Sequence, residues 1–343
     1  MPYHLCGGHL APVAFSFGKE VAMDATSRSY IPGRYAAIDI GTVTARLLVA
    51  DVDATGRIDE IHRDTAICNL GVGVDKTGLL DPAAIERVGE VVGRFVKSID
   101  ALQPDTGAPI RVTANATSAS RDAQNSGDFV AVLADLGVTL SVIPGEKEAA
   151  LSFAGASSAF AGEPVVVLDV GGGSSEIIAG QAGETPRHAH SFNIGCRRVT
   201  ERCFHDDPPT PSQLEEAGRW ISGEMSGYLA DLTADGFGTC RIVAVAGTAT
   251  SIISMREQME VYDPTRVHGA VATRDDVDGL LARLASLSLE ERKQVVGLDP
   301  GRAPVIVAGV LILQQIMQLL GADSFTVSER DILHGIILDA AVA

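Results

Sequence analysis

Short apolar runs and longer stretches of helical periodicity alternate along this chain. Near the start, three runs rich in Val, Ile and Leu predict strands at 35–40, 45–52 and 57–65. From 82 to 102 the apolar residues recur every three or four positions, which predicts an amphipathic helix that Asp81 caps. Further periodic segments predict a strand, a helix, a strand and a helix at 110–114, 127–136, 139–143 and 146–160.

The second half repeats this order. Strands are predicted at 165–170, 175–180, 187–193, 241–246 and 324–327, and helices at 196–204, 212–232, 274–286, 303–320 and 330–342. Three strands followed by alternating helices and strands, used twice, are typical of two ribonuclease-H-like domains. The predicted fold class is therefore α/β, with a ligand cleft between the two domains. We place a flexible N-terminal extension at 1–34, the first domain at 35–150 and the second, with helical insertions, at 151–343.

Composition narrows the classes of partner. The chain has 343 residues, is 46% hydrophobic and carries a net charge of −17, which argues against general nucleic-acid binding. No apolar run reaches the roughly 18–20 residues of a membrane span, and residues 1–34 do not look like a secretory signal. The five cysteines contain no C-x-x-C pair, so we expect reduced thiols and a cytoplasmic protein.

One local pattern occurs twice. An apolar run ends in Asp39, followed by a turn with Gly41, Thr42 and Thr44 and a second apolar run. The second copy has Asp169 followed by Gly171, Gly172, Gly173 and Ser174. Glycines let backbone N–H groups approach an anion, hydroxyls add donors, and a carboxylate can bind Mg²⁺ directly or through water. Two such hairpins facing each other predict a site that holds a polyphosphate from both sides.

These segments make the chain similar to the exopolyphosphatase and guanosine pentaphosphate phosphohydrolase family, within the actin, Hsp70 and sugar-kinase superfamily. The two hairpins resemble the family's phosphate loops. Further segments resemble the family in the same order: Ala116–Asn125, Gly145–Ala149, Gly195–Glu201, Arg302–Pro304 and Ser328–Asp331. The resemblance covers about 35–343 and implies the short, two-domain form, in which family members are often homodimers.

The resemblance also implies roles for individual residues. Glu148 would be the general base that activates water, and Arg121 would neutralise a bound phosphate. Asp39, Asp169 and Glu176 would hold Mg²⁺, or Mn²⁺ in its place. The implied phosphate contacts are Gly41, Thr42, Thr44, Arg46, Gly171, Gly172, Gly173, Ser174 and Arg302. From the residues alone, Glu148 could equally favour a helix N-terminus, Arg121 could form a surface ion pair and Glu176 could face solvent.

The function that follows is Mg²⁺-dependent hydrolysis of the terminal phosphoanhydride of inorganic polyphosphate, with release of orthophosphate. Hydrolysis of guanosine pentaphosphate, a superfamily ATPase or kinase, and a non-catalytic polyphosphate or nucleotide sensor stay open as alternatives. An ATPase would need an adenosine pocket near 247–250. Val43 keeps the sensor open, because the family usually has Asn there and an apolar side chain cannot donate to phosphate.

An acidic protein needs local cations to hold a polyanion. We therefore expect some of six arginines to converge at the cleft: Arg46, Arg121, Arg197, Arg198, Arg302 and Arg330. The pair His188 and His190 invites a metal assignment, but with no third ligand nearby a partly exposed strand pair is the simpler interpretation.

Overall fold

A computed structural model describes residues 29–104 and 107–343. Most of the predicted N-terminal extension, 1–28, lies outside the described residues. At its end, Tyr30 forms an antiparallel bridge with Val342, and the Ile31 N–H donates to the Ala341 carbonyl at 2.8 Å. The two ends of the described chain are therefore adjacent.

The first sheet has five strands in the order β3-β2-β1-β4-β5. They are β1 (Gly33–Ile40), β2 (Thr44–Val52), β3 (Ile58–Ile67), β4 (Arg111–Ala116) and β5 (Leu140–Val142). β1 and β2 are antiparallel, whereas β4 and β5 run parallel to β1. Their apolar alternation buries one face against a long helix at 82–101. As predicted, Asp81 caps that helix, accepting from the Ala83 and Ala84 N–H groups.

The second sheet repeats the topology of the first. Its strands are β6 (Pro164–Val170), β7 (Ser175–Gln181), β8 (His188–Phe192), β9 (Arg241–Val245), β10 (Val271–Thr273) and β11 (Ser324–Val327), in the order β10-β11-β9-β6-β7-β8. β6 and β7 are antiparallel, and β9 is parallel to β6. β11 is parallel to β9, so only the short edge strand β10 departs from the first sheet's pattern. The predicted fold class, two ribonuclease-H-like units, is confirmed.

Helices cover both sheets. They are α1 (Val74–Thr77), α2 (Pro82–Ala101), α3 (Ser118–Asp122), α4 (Ser126–Asp135), α5 (Gly145–Ser157), α6 (Cys196–Cys203), α7 (Pro211–Ala234), α8 (Ala246–Arg256), α9 (Pro264–Val267), α10 (Arg274–Ala285), α11 (Leu289–Arg292), α12 (Ile306–Leu320) and α13 (Ile332–Ala341). The short elements α1, α3, α9, α11 and β10 were not predicted, because three to five residues are too few to show a period. None of the described helices is both long and apolar enough to span a bilayer.

The C-terminal helix returns to the first sheet. Leu333 and Ile337 of α13 are buried in one cluster with Leu48 of β2. α13 crosses α5 at very close range, since a Cβ on Gly155 would lie 1.8 Å from the Asp331 carbonyl oxygen and one on Gly335 would lie 1.9 Å from the Leu151 carbonyl oxygen. This crossing brings Asp331 and Ile332 to the edge of the cleft.

Candidate active site

The two glycine loops have the same closing hydrogen bond. In the first, the Gly41 N–H donates to the Thr44 carbonyl at 2.8 Å, and in the second the Gly171 N–H donates to the Ser174 carbonyl at 3.0 Å. These two N–H groups close their turns in this conformation, and the predicted contacts of Gly41 and Gly171 with phosphate stay predictions. Their physical role is to shape the loops and leave the neighbouring N–H groups free.

The loops face each other across the cleft. A Cβ on Gly172 would lie 2.7 Å from Val43 Cγ2, and one on Gly173 would lie 2.6 Å from the Thr42 hydroxyl. Val43 is buried against the apolar core of the second half. The residue that departs from the family's usual Asn therefore packs the two halves together.

Helix α6 orients the second loop. Its first N–H groups lack partners within the helix, and those of Cys196 and Arg197 donate to the Gly171 and Gly172 carbonyls at 2.9 and 2.8 Å. C=O and N–H point in opposite directions across a trans peptide, so the Gly172 and Gly173 N–H groups point away from α6. Neither of them donates to any residue that the structure describes. The loop thus presents two free donors at the cleft.

The loops enclose a pocket with a free volume of about 60 Å³. Its lining includes nearly all the predicted site residues: Asp39, Gly41, Thr42, Thr44, Arg46, Glu148, Asp169, Gly171, Gly172, Gly173, Ser174, Glu176 and Arg302. Thr117, Ser118, Cys196 and Thr248 also line it and were not predicted as site residues. The Thr42 hydroxyl is buried and has no hydrogen-bond partner among the described residues, which suits a donor that awaits an anion.

Glu148 and Arg121 form an ion pair at the pocket. Arg121 Nη1 donates to Glu148 Oε2 at 3.1 Å and to the Ile143 carbonyl at 3.0 Å. Glu148 is buried and lines the pocket, whereas Arg121 does not line it. The arginine therefore acts on Glu148 in this conformation, and its predicted contact with phosphate stays a prediction.

Four buried carboxylates surround the pocket. Burial raises the pKa of Glu148 to about 7, with Arg121 opposing the rise and Asp39 and Asp169 adding to it. Burial likewise raises the pKa of Asp169 to about 6, opposed by the Ser152 hydroxyl, which donates to Asp169 Oδ2 at 2.5 Å. The pKa values of Asp39 and Glu176 are also raised, mainly by burial. The pocket is therefore short of positive charge.

Arg46 is held between two carboxylates. Its Nη2 donates to Asp39 Oδ2 at 2.6 Å, and its Nη1 donates to Asp331 Oδ2 at 2.5 Å. Asp331 caps α13 and was not predicted as a site residue, although it ends the family segment 328–331. With its donors engaged in this way, Arg46 joins the C-terminal helix to β1, and its predicted phosphate contact stays a prediction.

Arg302 is the pocket cation without a carboxylate partner. Its guanidinium donates to no described residue and forms no ion pair with one. Burial lowers its pKa, so the charge is held at a cost that a bound anion would offset. This is the arrangement expected of the predicted phosphate contact.

The acidic side chains around the pocket are the candidate ligands for a metal ion. Asp169 and Glu176 face each other on β6 and β7, where the first sheet instead pairs Asp39 with Arg46. The second pair therefore has no cation of its own, and the buried Asp39 Oδ1 has no hydrogen-bond partner in the described part of the chain. Those residues contain no ready cluster of three His, Cys, Asp or Glu side chains. Mg²⁺ commonly uses one or two carboxylates with waters and substrate phosphates, so the acids fit that ion.

The other candidate arginines lie outside the pocket. Arg198 donates to the Asp122 carboxylate at 2.6 Å and to the Gly173 carbonyl at 3.0 Å, and it pairs with Asp75. Arg197 donates to Asn69, and Arg330 donates to the Ser158 hydroxyl at 3.3 Å. The expectation that some of the six converge holds for Arg46 and Arg302, with Arg121 directly behind Glu148.

His188 and His190, the strand pair that invited a metal assignment, contact other protein side chains. His188 Nε2 lies 2.9 Å from Asp235 Oδ2, and His190 packs against Phe192 and Tyr228. These contacts agree with a strand pair.

Gly247 and Thr248 line the pocket at the start of α8.

Comparison with known proteins agrees with this geometry. A profile of the Ppx/GppA phosphatase family matches residues 48–342. The chain belongs to the Ppx/GppA phosphatase family. A relative named exopolyphosphatase 2 from Mycobacterium tuberculosis is 37% identical over 323 residues, which cover 90% of this chain and 98% of the relative. Because the members of this family are phosphatases, the chain is a hydrolase.

Solved structures of Ppx/GppA proteins share the fold. A crystal structure of an exopolyphosphatase-like protein is 32% identical, with a TM-score of 0.81, and the match covers 92% of this chain and 98% of that one. The Aquifex aeolicus member of the Ppx/GppA family is 29% identical, with a TM-score of 0.74 and coverage of 90% and 97%. The likeness therefore extends over both halves and includes the cleft between them.

Proposed function

We propose that this protein is an exopolyphosphatase, which hydrolyses the terminal phosphoanhydride of inorganic polyphosphate and releases orthophosphate. The observation that carries the proposal is Glu148, a buried carboxylate with a raised pKa that faces a phosphate-sized pocket between two loops with free donors. A general base works best when its pKa lies near the operating pH. The relatives named exopolyphosphatases favour polyphosphate over guanosine pentaphosphate as the substrate.

The terminal phosphate would bind through backbone and side-chain donors. The Gly172 and Gly173 N–H groups and the Thr42 hydroxyl have no other described partners, and Arg302 supplies a positive charge. Hydrogen bonds in which one partner is charged are about twice as strong as neutral ones, so these donors would hold the phosphate and stabilise the charge on its oxygens in the transition state.

We propose Mg²⁺ as the cofactor, or Mn²⁺ in its place, held by Asp39, Asp169 and Glu176. When bound, the ion would neutralise charge on the phosphate oxygens and on these acids. The support is the surplus of buried carboxylates and the unpartnered Asp39 Oδ1.

Glu148 would accept a proton from a water molecule as that water attacks the terminal phosphorus in line with the bond that breaks. The shortened polyphosphate leaves as an anion, so the reaction needs no general acid. Arg121 holds the Glu148 carboxylate in place through the 3.1 Å hydrogen bond and keeps its pKa from rising further. The orthophosphate product stays in the pocket until the donors release it.

Cellular location and assembly are part of the same proposal. The described cysteines are free thiols, which suits a reducing cytoplasm. The homodimer implied by the family resemblance would be tested by light scattering of the purified protein.

The decisive test compares Glu148→Gln with Glu146→Gln, an exposed acid in the same helical turn. Phosphate release would be followed with polyphosphate, guanosine pentaphosphate and ATP, each with and without Mg²⁺. We expect polyphosphate to be the best substrate and Glu148→Gln to lower kcat by about 10²–10⁴-fold, while Glu146→Gln stays near wild type. Full activity of the Glu148 variant would remove that residue from its role, and no phosphate from any substrate would contradict the proposed function.

A further inference from the structure

The pocket is too small for the whole substrate. A cavity needs roughly 10–15 Å³ of free volume for each water-sized group that it holds. The pocket volume of about 60 Å³ therefore accommodates roughly one phosphoryl group. The leaving end of a polyphosphate must therefore lie in a space that opens from the pocket.

One side of the pocket is closed. There the adjoining space is about 20 Å³, and Arg198 crosses it to reach Asp75 and Asp122 of the first half. Glu201 of the same helix accepts from the Gly73 N–H at 3.2 Å. A phosphate chain cannot pass on this side without breaking these contacts.

Another side of the pocket, lined by different residues, opens into a chamber of about 870 Å³. The pocket and the chamber share Arg46, Ala246, Gly247 and Arg302 in their linings. Of the two shared cations, Arg302 is the one without a described carboxylate partner. A group bonded to the terminal phosphate would therefore meet Arg302 first as it extends into the chamber.

Beyond Arg302 the chamber lining is acidic. Arg63 lies 3.6 Å from Glu329, and the Lys293 ammonium lies 2.6 Å from the exposed Glu290 carboxylate, so neither cation is free. Two lining acids, Asp64 and Glu260, have no cationic partner in the described ranges, whereas Asp299 attracts Arg302 electrostatically without forming an ion pair with it. Together with the net charge of −17, these acids repel each additional phosphate of a long chain.

We propose that this chamber holds the leaving end of the substrate and that its acidic lining limits that end to a short phosphate chain. The inference rests on the proposed function, because it assigns the part of polyphosphate that is not cleaved. Arg302, at the junction, contacts both the terminal phosphate and the phosphate bonded to it, and the outer acids set the length at which further phosphates become unfavourable. Short chains are therefore better substrates than long ones.

The test removes two outer charges at once. The double variant Asp64→Asn/Glu260→Gln would be compared with the control double variant Asp59→Asn/Glu224→Gln. The control changes an exposed acid of the same strand and an exposed helical acid, both outside the chamber. The substrates are tripolyphosphate and chains of tens and of hundreds of phosphates, in low and in high salt. Binding of the same chains would be measured by calorimetry.

We expect the chamber variant to raise kcat/KM for the longest chains by about three- to tenfold in low salt, and the gain to vanish in high salt. Tripolyphosphate should be hydrolysed as by wild type. An independent variant, Val296→Trp, would narrow the chamber and weaken the binding of long chains. Val271→Trp would not weaken it, because Val271 lies outside the chamber, although both valines are 46% exposed.

The inference is overturned if the chamber variant and its control show the same dependence of kcat/KM on chain length. Failure of the proposed function has a different signature. No chain would then release phosphate, while calorimetry would still show whether the Asp64 and Glu260 substitutions strengthen the binding of long chains, which would support the assignment of the chamber.

Discussion

The guanidinium of Arg302 lies directly over the backbone of Gly247. A Cβ at residue 247 would lie 1.9 Å from the guanidinium carbon, a distance that real contacts do not allow. Gly247 begins helix α8 immediately after Ala246, whose φ is 64°. The glycine is therefore what allows the cation without a carboxylate partner to reach the junction of pocket and chamber.

Gly247→Ala should displace the Arg302 guanidinium and weaken substrate binding. Because hydrogen bonds to charged groups contribute about 1.5–3 kcal/mol, we expect KM for tripolyphosphate to rise by about ten- to a hundredfold. Steady-state kinetics would measure it. Gly223→Ala is the matched control, since its Cβ would meet nothing within 4 Å. An unchanged KM in the Gly247 variant would contradict the phosphate contact of Arg302.

Arg121→Gln should move the acid limb of the activity profile to higher pH. Burial raises the pKa of Glu148 to about 7 and Arg121 opposes that rise, so the loss of the cation would raise the Glu148 pKa further. The base would then lose its proton only at more alkaline pH, and activity would recover there. The midpoint of kcat/KM against pH would be compared with that of Arg187→Gln, an exposed arginine. Equal midpoints would exclude this role for Arg121.

Asp169→Asn should stabilise the metal-free protein at pH 8. Burial holds the folded pKa of Asp169 at about 6, above its unfolded value, so the folded state binds the extra proton. Stability is therefore lost as the pH rises from the unfolded pKa of 3.8 to the folded pKa of about 6, and at pH 8 the charged carboxylate costs on the order of 3 kcal/mol. Asn keeps an acceptor for Ser152 and carries no charge.

Thermal unfolding at pH 4 and pH 8 would measure this effect, with Asp59→Asn as the surface control. The gain in Tm should be clear at pH 8 and small at pH 4. Mg²⁺ should raise the Tm of the wild type at pH 8 more than that of the Asp169 variant. A variant whose Tm differs from wild type equally at both pH values would contradict the assigned cause.

Arg198→Gln should loosen the contact between the two halves. Arg198 joins the Gly173 carbonyl to Asp75 and Asp122, so its loss should speed hydrogen exchange in 68–78 and raise KM by a few-fold. Arg241→Gln, which breaks the half-exposed pair with Glu163, is the control, because such surface pairs contribute about 0–1 kcal/mol. Unchanged exchange in 68–78 would show that the halves stay joined without Arg198.

Much of this fold is predictable from the sequence, because its signals are local. Apolar runs gave the strands, and the repeated Asp–Gly turns gave the two loops with Asp39 and Asp169 in equivalent positions. The resemblance to a family then predicted that Glu148 and Arg302 would face those loops, and the structure places both in the pocket.

What the sequence did not reveal depends on contacts between distant segments. Asp331 lies 285 positions after Arg46, and no local pattern shows that α13 would return to β1. Similarly, the six candidate arginines cannot be told apart in the sequence. In the structure, carboxylates pair with Arg46, Arg121 and Arg198 and leave Arg302 available. Ion pairing of this kind is decided by the tertiary structure.

The return of α13 to the first sheet has a consequence for biosynthesis. Leu48 and Ala50 of β2 share their apolar cluster with residues of α13, including Leu333 and Ile337. During translation these strand residues are synthesised early and stay uncovered until the second sheet and α13 have been made. A ribosome that stalled before it reached Asp331 would leave an apolar sheet face exposed, and the nascent chain would lack the carboxylate that anchors Arg46.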